Sequence, residues 1–245
     1  METQGHRYAQ EELVGTGTPA NRVMLTGSII GTPVLSHSIF GEGFYEMILS
    51  VNRLSSMQDL VPITISERLI QDKNIVPDKQ ITIKGQFRSY NKLVNGKSKL
   101  MLTVFVREVS DAEEWMDNPN IIELTGYICK KPIYRTTPFN REIADILVAV
   151  NRAYNKSDYI PAIAWGRNAR FAEGLKVGEK VYLSGRVQSR EYQKKLDNGE
   201  VESRTAYEIS INKLSKEPLE SFFQENDTAF IISNEELLEE VASQF

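Results

Sequence analysis

The sequence predicts an all-β protein made of two tandem copies of one domain, followed by an acidic C-terminal tail. Three observations carry that expectation. A set of residues recurs at one fixed separation, β-branched and aromatic runs alternate with turn formers, and each copy leaves room for only one short helix.

The repeat comes first, because it sets the register for everything else. Leu25-Thr26-Gly27 recurs as Leu124-Thr125-Gly126, Pro33 as Pro132, Phe40 as Phe139, Val51-Asn52-Arg53 as Val150-Asn151-Arg152, and Pro62 as Pro161, always 99 residues apart. After small insertions Gly85 matches Gly185, and Asn95-Gly96 matches Asn198-Gly199. The expected division is an N-terminal extension (1–20), a first domain (21–109), a linker (110–119), a second domain (120–216) and a tail (217–245). The linker is acidic and closes on Asn118-Pro119, a pair that favours a solvated turn.

In the second copy, Ile121–Ile128, Ile143–Arg152, Tyr159–Trp165, Lys180–Tyr192 and Ser203–Leu214 read as strands. Lys131-Pro132, Asn155-Lys156-Ser157-Asp158 and Asp197-Asn198-Gly199 separate them, and Asn-Gly suits the positive φ angles of a tight hairpin. Arg167–Glu173 reads as a short helix ended by Gly174. Five strands with a helix after the third is the order of the OB-fold, a small Greek-key barrel. An SH3-like barrel also has five strands, but the helix position disfavours it.

Charge separates the regions. The chain carries a net charge of −4, yet residues 217–245 hold eight acids and no Lys or Arg, so the rest of the chain is at +4. Residues 120–216 have 17 basic and 11 acidic side chains, and the second domain is therefore the basic one. A single cysteine, Cys129, leaves no internal disulfide, and with only His6 and His37 metal chemistry has no support. No nucleophile–base pair or phosphate-cradling loop is apparent: Gly41-Glu42-Gly43 reads as a turn, and Gly15-Thr16-Gly17 lacks the Gly and Lys of a phosphate loop. The expectation is a non-enzymatic, cytoplasmic protein with no cofactor, no metal and no membrane segment.

The ordered series Leu124-Thr125-Gly126-Tyr127-Ile128, Pro132-Ile133-Tyr134-Arg135, Val150-Asn151-Arg152-Ala153-Tyr154, Ile163-Ala164-Trp165-Gly166-Arg167-Asn168-Ala169 and Gly185-Arg186-Val187-Gln188-Ser189-Arg190-Glu191-Tyr192 resembles the bacterial single-stranded DNA-binding protein family. The resemblance implies base stacking by Tyr154, Tyr159, Trp165 and Tyr192. It implies phosphate contacts by Arg135, Arg167 and Arg190, with Arg152, Arg186, Lys194 and Lys195 as further cations. Rings for base faces and cations for the backbone are what a sequence-tolerant binder of single strands needs. Tyr127, Tyr182, Phe171 and Tyr207 are assigned to core or ordinary surface.

The first copy departs from this pattern. Ser55, Leu60, Ser66 and Lys92 stand where the four rings would be, Ser36 stands for Arg135, and only Arg68 matches Arg167. Phe40, Phe44, Tyr45, Phe87 and Tyr90 mostly suit a core or an interface. The first domain is thus expected to serve assembly and to stack few bases.

The resemblance further implies a homodimer presenting four OB-folds. Two readings of the tail stand open. Glu239, Glu240 and the terminal Phe245 could dock replication and repair proteins, as family tails do. Alternatively, Glu235–Val241, with Ser233 and Glu236 as a capping box, forms a short amphipathic helix packed on the body. Two other functions compete with protection of single-stranded DNA in replication, recombination or repair. One is an accessory of a replication-restart or plasmid replication complex; the other is a purely structural OB-fold module.

Overall fold

The computed structural model describes residues 20–53, 55–94, 96–112, 120–152, 155–195 and 199–223. Tyr154 and the tail residues Glu239, Glu240 and Phe245 lie outside the described residues.

In the first half the elements are β1 (Asn21–Ile39), β2 (Glu42–Asn52), β3 (Gln58–Ser66), α1 (Glu67–Asp72), β4 (Gln80–Val94) and β5 (Lys97–Asp111). In the second they are β6 (Asn120–Ile128), β7 (Ile133–Thr136), β8 (Glu142–Asn151), β9 (Ser157–Trp165), α2 (Arg167–Glu173), β10 (Lys180–Lys195) and β11 (Val201–Ser215).

Strand β1 pairs with both β2 and β4, β2 with β3, β4 with β5, and β3 runs parallel to β5, so five strands close on themselves. The second half repeats the circuit through β6–β8, β8–β9, the parallel β9–β11 pair, β11–β10 and β10–β6. These are two OB-fold barrels, each with its helix after the third long strand. The repeated Pro explains the one difference in strand count. Lys131-Pro132 ends pairing between β6 and β7, since Pro donates no ladder hydrogen bond, whereas around Pro33 β1 absorbs the break as a register shift between Ile30 and Val34.

Close strand crossings explain why glycine recurs. A Cβ on Gly27 would strike the Ser50 carbonyl oxygen, and one on Gly126 would sit 2.6 Å from the carbonyl oxygen of Ala149. Alternate residues fill the interiors: Val23, Leu25, Ile63, Ile83 and Phe87 in the first barrel, and Ile122, Val148, Ile160, Val181 and Val187 in the second, are fully buried or within a percent of it.

The barrels join through an antiparallel β1–β6 pairing that matches Val23 with Ile122 and runs from Asn21–Leu124 to Leu25–Asn120. Because repeat-equivalent strands pair antiparallel about the repeat-equivalent residues Val23 and Ile122, the join is close to a two-fold. The contacts around it are reciprocal. Asp59 of the first barrel accepts from the Ser189 backbone N–H of the second at 2.9 Å, and Asp158 accepts from the Ser89 backbone N–H of the first at 2.6 Å. The Ser189 hydroxyl accepts from the Leu60 N–H, and the Ser89 hydroxyl from the Tyr159 N–H.

Past β11 the chain folds back over this join. Phe223 is buried against Met24 and Ile121, one residue from each joined strand. The Arg22 guanidinium lies 5.0 Å from the Phe223 ring centroid and pairs with Glu123 at 2.6 Å, while Glu123 also accepts from the Ser221 hydroxyl. The first residues of the acidic tail therefore clasp the outer face of both barrels. No helix among the described residues is long and apolar enough to cross a membrane.

Candidate nucleic-acid interface

Strand β9 has period two in burial: Asp158, Ile160, Ala162 and Ala164 face inward, while Tyr159 and Trp165 face out at 44% and 38% exposure. Both rings thus stand on one face of one strand. Trp165 ends the strand; Gly166, with φ of 52°, turns the chain, and Arg167 opens α2 immediately after it. Tyr192, also 38% exposed, stands on the outer part of β10, where the β10–β11 hairpin runs beyond the barrel. The three described rings of the predicted stacking set are therefore all open to solvent.

The seven predicted cations divide into three groups by partner. Arg167, Lys194 and Lys195 are exposed, and among the described residues none of their side chains has an ion-pair or hydrogen-bond partner. Arg135 and Arg190 are half exposed and each leans on a carboxylate. Arg135 is held by both oxygens of Asp145, at 2.9 and 3.3 Å, which raises its pKa above the ordinary guanidinium value. Arg190 donates to Glu208 at 3.2 Å and lies 5.8 Å from the Tyr192 ring centroid, two positions along the same strand.

Arg186 and Arg152 stand apart from these five, because each closes on a buried aspartate at the barrel junction. Arg186 donates to Asp59 across the junction at 2.9 Å, and burial lowers its pKa ahead of the opposing pull of Asp59. Arg152 lies 3.4 Å from Asp158. Each aspartate side chain is 1% exposed, and an unpaired charge there would be costly, so these two arginines neutralise the junction. Arg53 plays the same part in the first barrel, at the repeat position of Arg152, with its Nε and Nη2 donating to the two oxygens of Asp59.

Sequence reasoning passed over Phe139. It is 85% exposed at the tip of the β7–β8 hairpin, with Arg135 and Arg141 close along the chain. Its repeat partner Phe40 is 71% exposed at the tip of the β1–β2 hairpin, not in a core. The signal was present: each lies between two strands beside Gly41 or Asn140, which take positive φ. Of the remaining first-barrel rings, Phe44 and Phe87 are buried, while Tyr90 is 37% exposed. Tyr127 and Phe171 are on the surface. Among the described residues no three His, Cys, Asp or Glu side chains gather as a metal site.

Residues 119–216 match the model of the single-strand binding protein family. The "Single-stranded DNA-binding protein" of Clostridium tetani is 31% identical over 83 residues, covering 31% of this chain and 57% of that protein. "Single-stranded DNA-binding protein 3" of Streptococcus agalactiae is 33% identical over 81 residues, covering 30% of this chain and 59% of that protein. The chain thus spans less than two thirds of the length of these relatives. The crystal structure of the wild-type single-stranded DNA binding protein from Thermus aquaticus superposes with a TM-score of 0.64 at 16% identity, over 85% of this chain and 97% of that one. At that identity the likeness is one of fold, and it extends over both barrels.

Proposed function

With its second barrel a member of the single-strand binding protein family, we propose that this chain binds single-stranded DNA with little sequence preference and protects it during replication, recombination or repair. The observation that carries the reading is the row of exposed rings on β9 and β10, Tyr159, Trp165 and Tyr192, set among cations on the same elements. Every base has a π-face, so a ring platform accepts any sequence, and each stacked base contributes about 1–3 kcal/mol. Among the described residues Arg167, Lys194 and Lys195 have no side-chain partner to give up on meeting a phosphate; Arg135 exchanges the exposed carboxylate of Asp145 for one, and Arg190 the buried carboxylate of Glu208. Tyr154 belongs to the same proposed set through its sequence position. Arg152 and Arg186 serve the junction, and Phe139 joins the set as a further ring.

The protein is read as a binder and not an enzyme, acting in the cytoplasm. Two chains would present four barrels, because one chain already supplies a pair about the β1–β6 join. Light scattering that gives twice the chain mass supports that homodimer; a monomer mass removes it. Docking of replication and repair proteins through Glu239, Glu240 and Phe245 is tested by deleting residues 224–245, which spares the Phe223 clasp, and measuring partner capture.

The central test is titration of Trp165 fluorescence, with Trp115→Phe so that it alone reports, with oligo-dT, poly-rU and duplex DNA over a range of salt. The expected outcome is quenching by dT, a weaker response to duplex, and an affinity that falls as salt releases the counterion advantage. Equal affinity for duplex and single strand would overturn the reading.

A further inference from the structure

We infer that the pocket at the barrel junction is a separate nucleotide subsite, which takes one unit of a strand running off the Tyr159–Trp165 face. This rests on the single-strand reading above and adds a site that none of the family stacking positions supplies.

Its place comes from the junction contacts. The pocket measures about 390 Å³, within the usual range of small-ligand sites, and both barrels line it. Arg88, Ser89, Tyr90 and Phe105 come from β4 and β5, and Arg152 and Lys156 from the segment joining β8 to β9. Lys156 is three residues before Tyr159, and the Ser89 hydroxyl accepts from the Tyr159 N–H at 2.8 Å. A base stacked on Tyr159 therefore has its neighbour at the mouth of the pocket.

Its chemistry is that of a flat anion. Phe105 forms an apolar back wall, packed with Ile39 and Phe44, and its ring lies 4.3 Å from the Arg88 guanidinium and 4.6 Å from that of Arg107. Arg88 and Lys156 are set against one lining carboxylate, Glu46, whose Oε1 already accepts from the Ser36 and Tyr90 hydroxyls at 2.8 and 3.0 Å, while Arg152 is matched by the buried Asp158. Tyr90 offers the exposed edge of an aromatic ring and, as a phenol, is uncharged at neutral pH. A nucleotide combines an apolar plane with a phosphate, and this lining meets both parts.

The second barrel lines the corresponding position differently. Pairing of β10 with β11 sets Gln188 opposite Glu208, where the first barrel sets Arg88 opposite Thr103. Glu208 is 7% exposed and holds Gln188 and Arg190, so a carboxylate occupies the corresponding place. In the first barrel Thr103 takes the place of Glu208, and its hydroxyl bonds to that of Thr64 at 2.9 Å.

The test uses the full chain, wild type against Lys156→Glu and Tyr90→Ala, titrated with oligo-dT of increasing length, with photocrosslinking of long 5-iododeoxyuridine oligonucleotides. The shortest oligonucleotides that quench Trp165 should bind all three proteins alike, which also reports that the variants are folded. Longer ones should gain affinity on the wild type, and both variants should lose about tenfold of that gain, with crosslinks mapping to Tyr90 in the wild type. Unchanged long-oligonucleotide affinity in both variants, or crosslinks confined to Tyr159, Trp165 and Tyr192, would overturn the subsite. So would a Lys156-dependent affinity for poly-glutamate with no dependence on DNA length, which would mark a peptide site. Failure of even short oligonucleotides to quench Trp165 would instead remove the underlying single-strand reading.

Discussion

The two barrels share a frame and differ in what they show to a ligand. Asn21 and Asn120 occupy equivalent places, each bonding both ways to a β-strand peptide, Phe87 and Val187 respectively, at 2.7–2.9 Å. Asp59 and Asp158 close the junction in the same reciprocal fashion. On the groove, by contrast, Leu60 stands for Tyr159, Ser66 for Trp165, Lys92 for Tyr192 and Arg88 for Gln188. The difference teaches which residues were free to change. A buried polar group needs its partner, and changing one side of the pair leaves the other unsatisfied. An exposed ring answers only to its ligand.

That comparison can be broken most directly by removing the rings of the second barrel. Trp165→Ala with Tyr192→Ala in the full chain should weaken oligo-dT binding by roughly 2–6 kcal/mol in all, taking about 1–3 kcal/mol per stacked base. Near-normal affinity in an equilibrium titration would show the first barrel to be an equal binder.

The shared frame predicts a large stability effect from a residue nowhere near the rings. Asp59 receives Arg53, Arg186 and the Ser189 N–H. Asp59→Ala leaves two guanidinium groups facing each other at the junction, and a broken buried pair costs about 3–5 kcal/mol. Denaturant unfolding should register that loss. A change under about 1 kcal/mol would mean that the junction is held by strand pairing alone.

Next in size is the clasp. Phe223→Ala empties the cluster of Met24 and Ile121, and a Phe-to-Ala change in a small, peripheral cluster should cost about 2 kcal/mol, below the range for central cores. DNA affinity should not change. If affinity rises instead, the clasp would be linked to the groove.

Asp158 allows the junction to be followed through pH. Burial is the largest influence on its carboxyl and raises its pKa, ahead of the lowering by Arg152 and the Ser89 N–H. The folded protein therefore holds this proton more tightly than the unfolded chain does. The contribution to stability is greatest below the ordinary carboxylate value near 3.8 and declines as pH rises through that value toward the raised folded one. Asp158→Asn should flatten that part of the stability–pH curve. An unchanged slope would show that other groups set it.

The smallest effect separates groove cations from junction cations. Arg167→Ala or Lys194→Ala should reduce the slope of log affinity against log salt by about 0.7, as for one single-strand phosphate contact. Arg186→Lys, which keeps the junction charge, should leave the slope as it was.

Much of the molecule was legible in the chain itself. The 99-residue repeat, the period-two strands and the Gly-marked turns specify two barrels, because these signals concern neighbours along the chain and the pleat they impose. The stacking rings Tyr159 and Trp165 were named from the family resemblance, and the period-two burial of β9 is what turns both outward. The roles of the arginines did not. Arg186 meets Asp59 across 127 positions of sequence, and Arg190, four residues on, meets Glu208 instead. Nothing local distinguishes the two. Folding decided it, since two like side chains on one strand acquire different duties only when the join of β1 to β6 brings a buried carboxylate of the other barrel to one and leaves the other with a carboxylate of its own barrel beside an open ring. The pocket at the junction has the same origin: its walls come from strands of one barrel and a loop of the other, and their charges sum only where the chain has brought them together.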